Sequence, residues 1–247
     1  MIYMIDPRPT VINKRLAAID RIIAVASGKG GVGKSMVSTG LALSLSKKGH
    51  TVGLLDLDLY GPSSHIILGV KPKGFPEENH GIIPPLVHGI HFMSIVYFTE
   101  DKPGAFRGID ITNIIIELLT ITQWRSLDYL IIDMPPGMGD EFLDVLALIK
   151  PCEYLLVTTP SKVAMGAVMK LTRLLEELQA PILGTIENMQ LTHSSTKQDE
   201  QPRNSKQYLG SIRFDTTLEE TIGKPEEFLQ TSFMKDLQIL IDPVLSG

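Results

Sequence analysis

The stretch Gly28-Lys29-Gly30-Gly31-Val32-Gly33-Lys34-Ser35 follows the apolar run Ile22–Ser27 and matches the pattern G-x-x-x-x-G-K-[S/T]. Its glycines let successive backbone N–H groups point at one anion, and the helix predicted over Ser35–Lys47 directs its positive N-terminal end to the same place. The pattern predicts that Lys34 binds the β- and γ-phosphates and that the Ser35 hydroxyl binds Mg²⁺. This stretch therefore predicts a phosphate-binding loop between a strand and a helix.

Apolar runs of strand length recur along the chain with helical stretches between them, which is typical of parallel strands joined by crossover helices. The sequence predicts an α/β fold with a doubly wound, mostly parallel sheet, of the P-loop NTPase type, in a single domain over 1–247. Residues 1–20 are interpreted as an N-terminal extension, and 60–88 and 189–208 as long loops. The predicted strands are Ile22–Ser27, Thr51–Asp58, Ile90–Ile95, Tyr129–Met134, Tyr154–Thr159 and Ile182–Glu187. The other predicted helices are Asp110–Ile121, Glu141–Lys150, Ser161–Leu178 and Thr231–Leu240.

The composition of the chain indicates which partners and which cellular compartment to expect. The formal charge is −5, with 23 basic and 28 acidic residues, so a dedicated nucleic-acid surface is not expected. No apolar run approaches the roughly 18 residues that cross a bilayer, and no leader pattern is recognisable, so no membrane partner is expected. With Cys152 as the single cysteine, the chain cannot form an internal disulfide, and a cytoplasmic location is expected.

Acidic residues close two of the predicted strands. Asp133 ends an apolar run and is interpreted as the residue that holds Mg²⁺ through water, while Gly137 follows it in a sharp turn near the γ-phosphate. Asp56 and Asp58 should point to opposite faces if their strand stays extended. Asp58 is the candidate that positions or deprotonates the attacking water, and Asp56 lies nearer the water shell of the metal. The predicted metal-site residues are thus Ser35, Asp56 and Asp133.

Lys29, directly after the first glycine, gives the loop a second lysine. In this form the loop resembles the deviant Walker A loop of the MinD/ParA/Mrp superfamily. Four ordered blocks further resemble the Mrp/ApbC branch of iron–sulfur cluster carrier ATPases: Ser27–Ser35, Gly53–Ser63, Asp128–Asp140 and Glu187-Asn188-Met189.

The resemblance implies a homodimer with two ATP molecules between its subunits, in which Lys29 of each subunit reaches the phosphates of the other. An added cation would neutralise charge that develops on the transferred phosphoryl group. The resemblance also implies that Asn188 hydrogen-bonds adenine. The catalytic candidates are Lys29, Lys34 and Asp58. The nucleotide-binding candidates are Gly28, Lys29, Gly30, Gly31, Val32, Gly33, Lys34, Ser35, Met36, Gly137 and Asn188.

The sequence departs from this branch where the cargo should bind. Carriers of the branch have a C-x-x-C pair after the Glu-Asn-Met block, whereas residues 190–196 contain no cysteine. Cys152 precedes a strand and so lies at the wrong edge of the sheet to replace it. An iron–sulfur cluster held by the usual ligands is therefore not expected. Met36 and Met138 stand where the branch has threonines, and Met36 removes a hydroxyl expected at the α-phosphate.

Three functions remain open from the sequence. The first is an ATP-hydrolysing, Mg²⁺-dependent homodimeric switch of the Mrp/MinD type, with an unidentified client protein and a possible role in iron–sulfur cluster assembly or transfer. The second is a MinD/ParA-like positioning or scaffold ATPase. The third is a P-loop kinase of small molecules, with the long 60–88 segment as its acceptor pocket.

Overall fold

A computed structural model describes residues 6–72, 74–99, 111–191 and 207–245. Its apolar runs form eight strands in one sheet, with helices packed on the faces of the sheet. The strands are β1 Ile19–Ala26, β2 Val52–Asp56, β3 Leu86–Val87, β4 Ile90–Ser94, β5 Leu127–Asp133, β6 Glu153–Thr158, β7 Ile182–Gln190 and β8 Tyr208–Arg213.

The strand order is β3-β4-β2-β5-β1-β6-β7-β8, and every neighbouring pair is parallel except β3 with β4. The register aligns Val25 with Asp133 and Asp133 with Asp56. The carboxyl ends of β1, β5 and β2 therefore meet at one edge of the sheet, where ligands bind in folds of this kind. The predicted fold class, a single α/β domain with a doubly wound and mostly parallel sheet, is confirmed.

Helices connect and cover the strands. They are α1 Arg8–Leu16, α2 Lys34–Lys47, α3 Ser64–Ile67, α4 Val96–Thr99, α5 Ile111–Ile121, α6 Asp140–Leu148, α7 Lys162–Glu177, α8 Pro225–Phe228 and α9 Ser232–Leu245, with a 3₁₀ turn at Leu218–Thr221. Most of α2 is buried, including the polar Ser38 and Thr39, because it crosses the centre of the sheet. The central strands are buried along nearly their whole length, which explains their uninterrupted apolar runs.

The structure adds elements that the sequence did not predict. Residues 1–20 include α1 and the start of β1, and 60–88 contain α3 and the two-residue strand β3. Strand β7 continues to Gln190 and β8 begins at Tyr208, so the predicted loop at 189–208 is shorter at both ends. Residues 192–206, which include most of the segment that lacks the cysteine pair, lie outside the described residues. None of the helices within the described ranges combines the length and apolarity that a bilayer crossing needs.

Candidate functional site

The glycine-rich loop lies at the carboxyl edge of the sheet, between β1 and α2. Gly28 packs against α7 so closely that a Cβ there would lie 2.4 Å from the backbone carbon of Ala167. Gly33 has a φ of +83°, and a Cβ would lie 2.3 Å from Asn188 Nδ2. Both positions therefore require glycine, for close approach at the first and for backbone conformation as well at the second.

Lys34 and Asp133 form a buried ion pair beneath the loop. Lys34 Nζ lies 2.6 Å from Asp133 Oδ1, with the lysine side chain 5% exposed and the aspartate fully buried. Ser64 Oγ donates a longer hydrogen bond of 3.4 Å to Asp133 Oδ2. Asp133 thus holds the ammonium of the loop lysine and the hydroxyl of α3 at the end of β5.

Asp56 is fully buried beside this pair. Its Oδ1 accepts the Asp58 N–H at 3.1 Å and its Oδ2 accepts the Ser64 N–H at 3.2 Å. Burial, and next the negative charge of Asp133, raise the pKa of Asp56 to about 7, against the opposing effect of the Lys34 ammonium. Two carboxyl groups here face one cation, so the site carries excess negative charge when both are ionised.

Asp58 lies apart from these buried carboxylates. Strand β2 ends at Asp56, so the two residues do not alternate along an extended strand as the sequence suggested. Asp58 instead lies in the wall of the cavity above the loop, and its Oδ1 accepts the Gly61 N–H at 3.0 Å. Its carboxylate is the acidic side chain of β2's exit that faces the cavity.

The cavity has a volume of about 420 Å³ and is open to solvent at the carboxyl edge. Its wall brings together the loop, the exits of β2 and β5, and the 3₁₀ turn. Gly137, at the β5 exit, donates its N–H to Ser27 O at 3.0 Å, and its neighbour Pro136 lines the cavity. The residues of the wall are Ser27, Gly30, Gly31, Gly33, Lys34, Ser35, Met36, Asp58, Gly61, Ser63, Ile66, Ile67, Pro136, Glu219 and Ile222.

A second cavity of about 220 Å³ adjoins the loop on the side of β7 and β8. Asn188, 4% exposed, donates from Nδ2 to Val32 O at 2.9 Å and accepts the Met189 N–H at Oδ1, also at 2.9 Å. The amide thus fixes the loop as well as lining the cavity. The other wall residues are Gly33, Met36, Met189, Arg213, Phe214, Asp215, Thr216, Leu218, Glu219 and Phe233.

The sequence did not single out the segment from Arg213 to Glu219. Asp215 organises it: Oδ1 accepts the N–H and hydroxyl of Thr217, and Oδ2 accepts those of Ser232 at the start of α9. Although its limited burial acts to raise the pKa of Asp215, these hydrogen bonds outweigh it and hold the pKa below its ordinary value. The signal available in the sequence was the Asp-x-Thr spacing of a turn, which does not reveal a cavity.

Lys29 differs sharply from Lys34. Its side chain is exposed, and among the described residues its ammonium has neither a hydrogen bond nor an ion pair. The loop is held at this point through the backbone, since Ser27 Oγ donates to Lys29 O at 2.9 Å. One lysine of the loop is therefore buried in the fold, and the other is exposed to solvent.

Metal or redox chemistry elsewhere in the described residues would need a reactive cysteine or a cluster of metal-ligating side chains. Cys152 is buried, and burial raises the pKa of its thiol to about 12, so it is an inert thiol in the fold. No group of three or more His, Cys, Asp or Glu side chains able to hold a metal ion occurs within the described ranges. The segment after Leu191 is not among them.

Comparison with known proteins places the residues of this site within a known protein family. Residues 18–234 match the family model described as ParA, the NUBPL iron-transfer P-loop NTPases. The chain belongs to this family. The match extends from β1 into α9 and includes the loop, both cavities and the buried ion pair.

Curated relatives carry the name iron–sulfur cluster carrier protein. The protein of Pseudomonas fragi is 40% identical over 177 residues, which are 70% of this chain and 62% of that protein. The protein of Rickettsia conorii is 44% identical over 173 residues, 69% of this chain and 54% of its own length. The matched part of the chain thus spans between half and two thirds of these relatives.

Solved structures share the fold. A nucleotide-binding protein of Archaeoglobus fulgidus, in complex with ADP, has a TM-score of 0.76 and 33% identity, and the match covers 91% of this chain and 95% of that one. The cell division ATPase MinD of Pyrococcus furiosus has a TM-score of 0.66 at 22% identity, covering 92% and 99%. The likeness to MinD shows the shared fold, whereas the family match and the curated relatives confirm the resemblance to the iron–sulfur carrier branch of the MinD/ParA/Mrp superfamily.

Proposed function

We propose that this chain is a Mg²⁺-dependent ATPase that works as a homodimeric switch and hydrolyses ATP to ADP and phosphate. The observation that carries the proposal is the contrast between the two lysines of one loop, Lys34 buried against Asp133 and Lys29 exposed at its edge. A generic phosphate-binding loop needs the first lysine alone. The second is accounted for by a partner subunit.

The loop and its buried support favour binding of a triphosphate. The backbone N–H groups of Gly30 to Ser35 and the N-terminal end of α2 supply an anion site. Phosphate oxygens would pair with the Lys34 ammonium in place of Asp133. The Asp133 carboxylate would then be free to bind other ligands. The energy of breaking a buried pair is offset because the ammonium gains a doubly charged partner.

Ser35, Asp133 and Asp56 fit a magnesium ion. Burial and the nearby charge of Asp133 raise the pKa of Asp56, so a divalent cation at this point would offset excess negative charge, and oxygen donors are those that Mg²⁺ prefers. The Ser35 hydroxyl would bind the ion directly, and the two aspartates would orient its water molecules. When bound, the ion neutralises charge on the β- and γ-phosphate oxygens.

Asp58 supports the hydrolytic step. It faces the cavity that also contains Lys34, and its Oδ1 is oriented by the Gly61 N–H. From this position its carboxylate accepts a hydrogen bond from the water that attacks the γ-phosphate. Gly137, at the exit of β5, would donate its N–H to the same phosphate once it leaves Ser27.

The second cavity suits the adenine base. Its walls are largely apolar, and Met36, Met189 and Phe214 offer surfaces against which a base can pack. Asn188 Nδ2 has a second hydrogen beyond the one given to Val32, and this hydrogen can reach an adenine nitrogen. ATP is therefore the proposed nucleotide, as the ADP complex of the Archaeoglobus relative also suggests.

The carboxyl edge of the sheet is suited to a second copy of the chain. Besides Lys29 it carries exposed apolar side chains on the segments that follow β2, β5 and β6, and such a group of side chains is typical of an interface. These side chains are Tyr60, Ile66, Leu143 and Val163, of which Tyr60 is 72% exposed and Val163 71%. A dimer through this edge buries them and brings each Lys29 to the partner's phosphates.

The proposed cargo of the switch is an iron–sulfur cluster that the chain does not itself bind through cysteines. Relatives are named for carrying iron–sulfur clusters, and we propose a role in cluster assembly or transfer in the cytoplasm, with a client protein and without nucleic acid or membrane. Because the buried Cys152 is the single cysteine, the chain does not hold a cluster by the usual cysteine ligands. The cluster would then be bound by the client or by other ligands.

ATP turnover and light scattering with ATP and Mg²⁺ test the switch. We expect Lys34→Ala to lose nucleotide binding, and Lys29→Ala to bind ATP but hydrolyse it at least about a hundredfold more slowly, since a cation in trans contributes roughly 10³ to 10⁵ in rate. Lys14→Ala, on the exposed face of α1 near the opposite edge of the sheet, is the matched control and should behave as the unchanged chain. Normal turnover in both loop variants would refute the proposal.

Anaerobic reconstitution with iron and sulfide, followed by analysis of both elements, tests the cargo. We expect no stoichiometric cluster on the isolated dimer. A stable cluster with about two cysteine thiolates per cluster, one from each subunit, would show that Cys152 becomes accessible and would contradict this part of the proposal.

A further inference from the structure

The two cavities beside the loop share part of their walls. Three residues line both: Gly33, Met36 and Glu219. In a nucleotide the ribose joins the base to the phosphates. With the phosphates in the larger cavity and the base in the smaller one, the ribose therefore lies against these three residues.

The three shared residues differ in their ability to accept hydrogen bonds from the hydroxyl groups of a ribose. Gly33 has no side chain, and the Met36 thioether is a weak acceptor. The Glu219 carboxylate has two strong acceptor oxygens, which match two neighbouring hydroxyl groups. Because its negative charge opposes contact with phosphate, the favourable partner for Glu219 at this point is a neutral hydroxyl donor.

The backbone that carries Glu219 is held in place. Glu219 lies in the 3₁₀ turn Leu218–Thr221, and its carbonyl accepts the Ile222 N–H at 3.3 Å. Thr217, directly before the turn, donates its N–H and its hydroxyl to Asp215 Oδ1 at 2.9 and 2.7 Å. Asp215 also binds the first turn of α9, so the position of Glu219 is fixed by contacts with the body of the domain.

We propose that Glu219 accepts hydrogen bonds from the 2′- and 3′-hydroxyl groups of the bound nucleotide and so determines its selectivity for ribonucleotides. This inference rests on the proposed function, because it takes the nucleotide site as given. It adds a specificity residue that lies outside every motif of the sequence.

Isothermal titration of ATP and 2′,3′-dideoxy-ATP, each with Mg²⁺, tests the contact. We expect the unchanged chain to bind the dideoxy nucleotide about tenfold more weakly, as for a partly solvated carboxylate that loses its hydroxyl partners. Glu219→Ala should bind ATP with the affinity that the unchanged chain has for the dideoxy nucleotide, and should no longer distinguish the two. Glu220→Ala is the matched control, since Glu220 is exposed and lines neither cavity.

Two results would overturn the contact: equal affinity of the unchanged chain for both nucleotides, or a Glu219→Ala variant that keeps the original ratio of affinities. A purely structural role for Glu219 would weaken both nucleotides by the same factor and leave that ratio intact. If the unchanged chain bound no adenine nucleotide at all, the proposed function itself would fail, and the ribose contact with it.

Discussion

Replacing Lys34 with methionine removes the cation from the most deeply buried ionic group of the site. The side chains are similar in length, so packing is largely preserved, but Asp133 loses its partner at 2.6 Å while fully buried. Breaking a buried pair by removing one partner costs about 3–5 kcal/mol. At roughly 2–4 °C per kcal/mol for a chain of this size, the melting temperature of the nucleotide-free protein should fall by about 10 °C.

Lys29→Met is the matched control, because it removes the same charge from the same loop at an exposed position. Its effect should stay within about 0.5 kcal/mol. The double variant Lys34→Met, Asp133→Asn should recover much of the loss, since Asp133 is then no longer a buried carboxylate without its cation.

The loss should also depend on pH. Without the cation the pKa of Asp56 rises further above its present value of about 7. A protein loses stability as pH rises up to the raised folded-state pKa of such a carboxyl group, so this loss continues to a higher pH in Lys34→Met than in the unchanged chain. The gap between Lys34→Met and the unchanged chain should therefore widen between pH 7 and 8.5. Differential scanning calorimetry over this range measures it. Equal melting temperatures for the two single variants at pH 7.5 would refute the buried pair.

Three further predictions concern the surroundings of the site. Gly33→Ala should cost about 1–2 kcal/mol in strain and also abolish ATP binding in titration calorimetry, because its Cβ meets Asn188, whereas Gly49→Ala at a similar φ with open space should keep binding; loss of binding in both would contradict this. Asp215→Ala should lower the free energy of unfolding in urea by about 1 kcal/mol, as N–H groups of the first turn of α9 lose their acceptor; no change would argue against that role. Cys152 should react with a thiol reagent only as fast as the protein unfolds, and rapid labelling of the native chain would disprove its burial.

Local patterns were sufficient to predict the centre of the fold. The apolar runs of β1, β2, β5 and β6 and the glycine loop are signals within single segments, and all appear where they were predicted, within a few residues. Strand β8 was missed because its sequence, Tyr208–Arg213, alternates weakly and is largely exposed or half-buried. Its pairing with β7 is decided by tertiary contacts.

The site was predictable only in part for the same reason. The loop and Asp133 follow from motif and position, but the division of roles between Asp56 and Asp58 depends on where β2 stops. The wall formed by Asp215 and Glu219 joins the loop from nearly two hundred residues away in the chain, and such a contact leaves no local signal. The roles of these residues in binding and hydrolysis stay predictions until nucleotide is bound.

Mixing Lys29→Ala with Lys34→Ala tests the shared site most directly. In a mixed dimer, the subunit that retains Lys34 receives Lys29 from its partner, so one of the two sites is complete. Each variant alone should be nearly inactive, while an equimolar mixture should recover up to about a quarter of the turnover. Half of randomly paired dimers are mixed and each has one complete site, and a quarter is the ceiling because the Lys34→Ala subunit brings no nucleotide of its own to the dimer. A mixture no more active than the average of its two components would contradict the account.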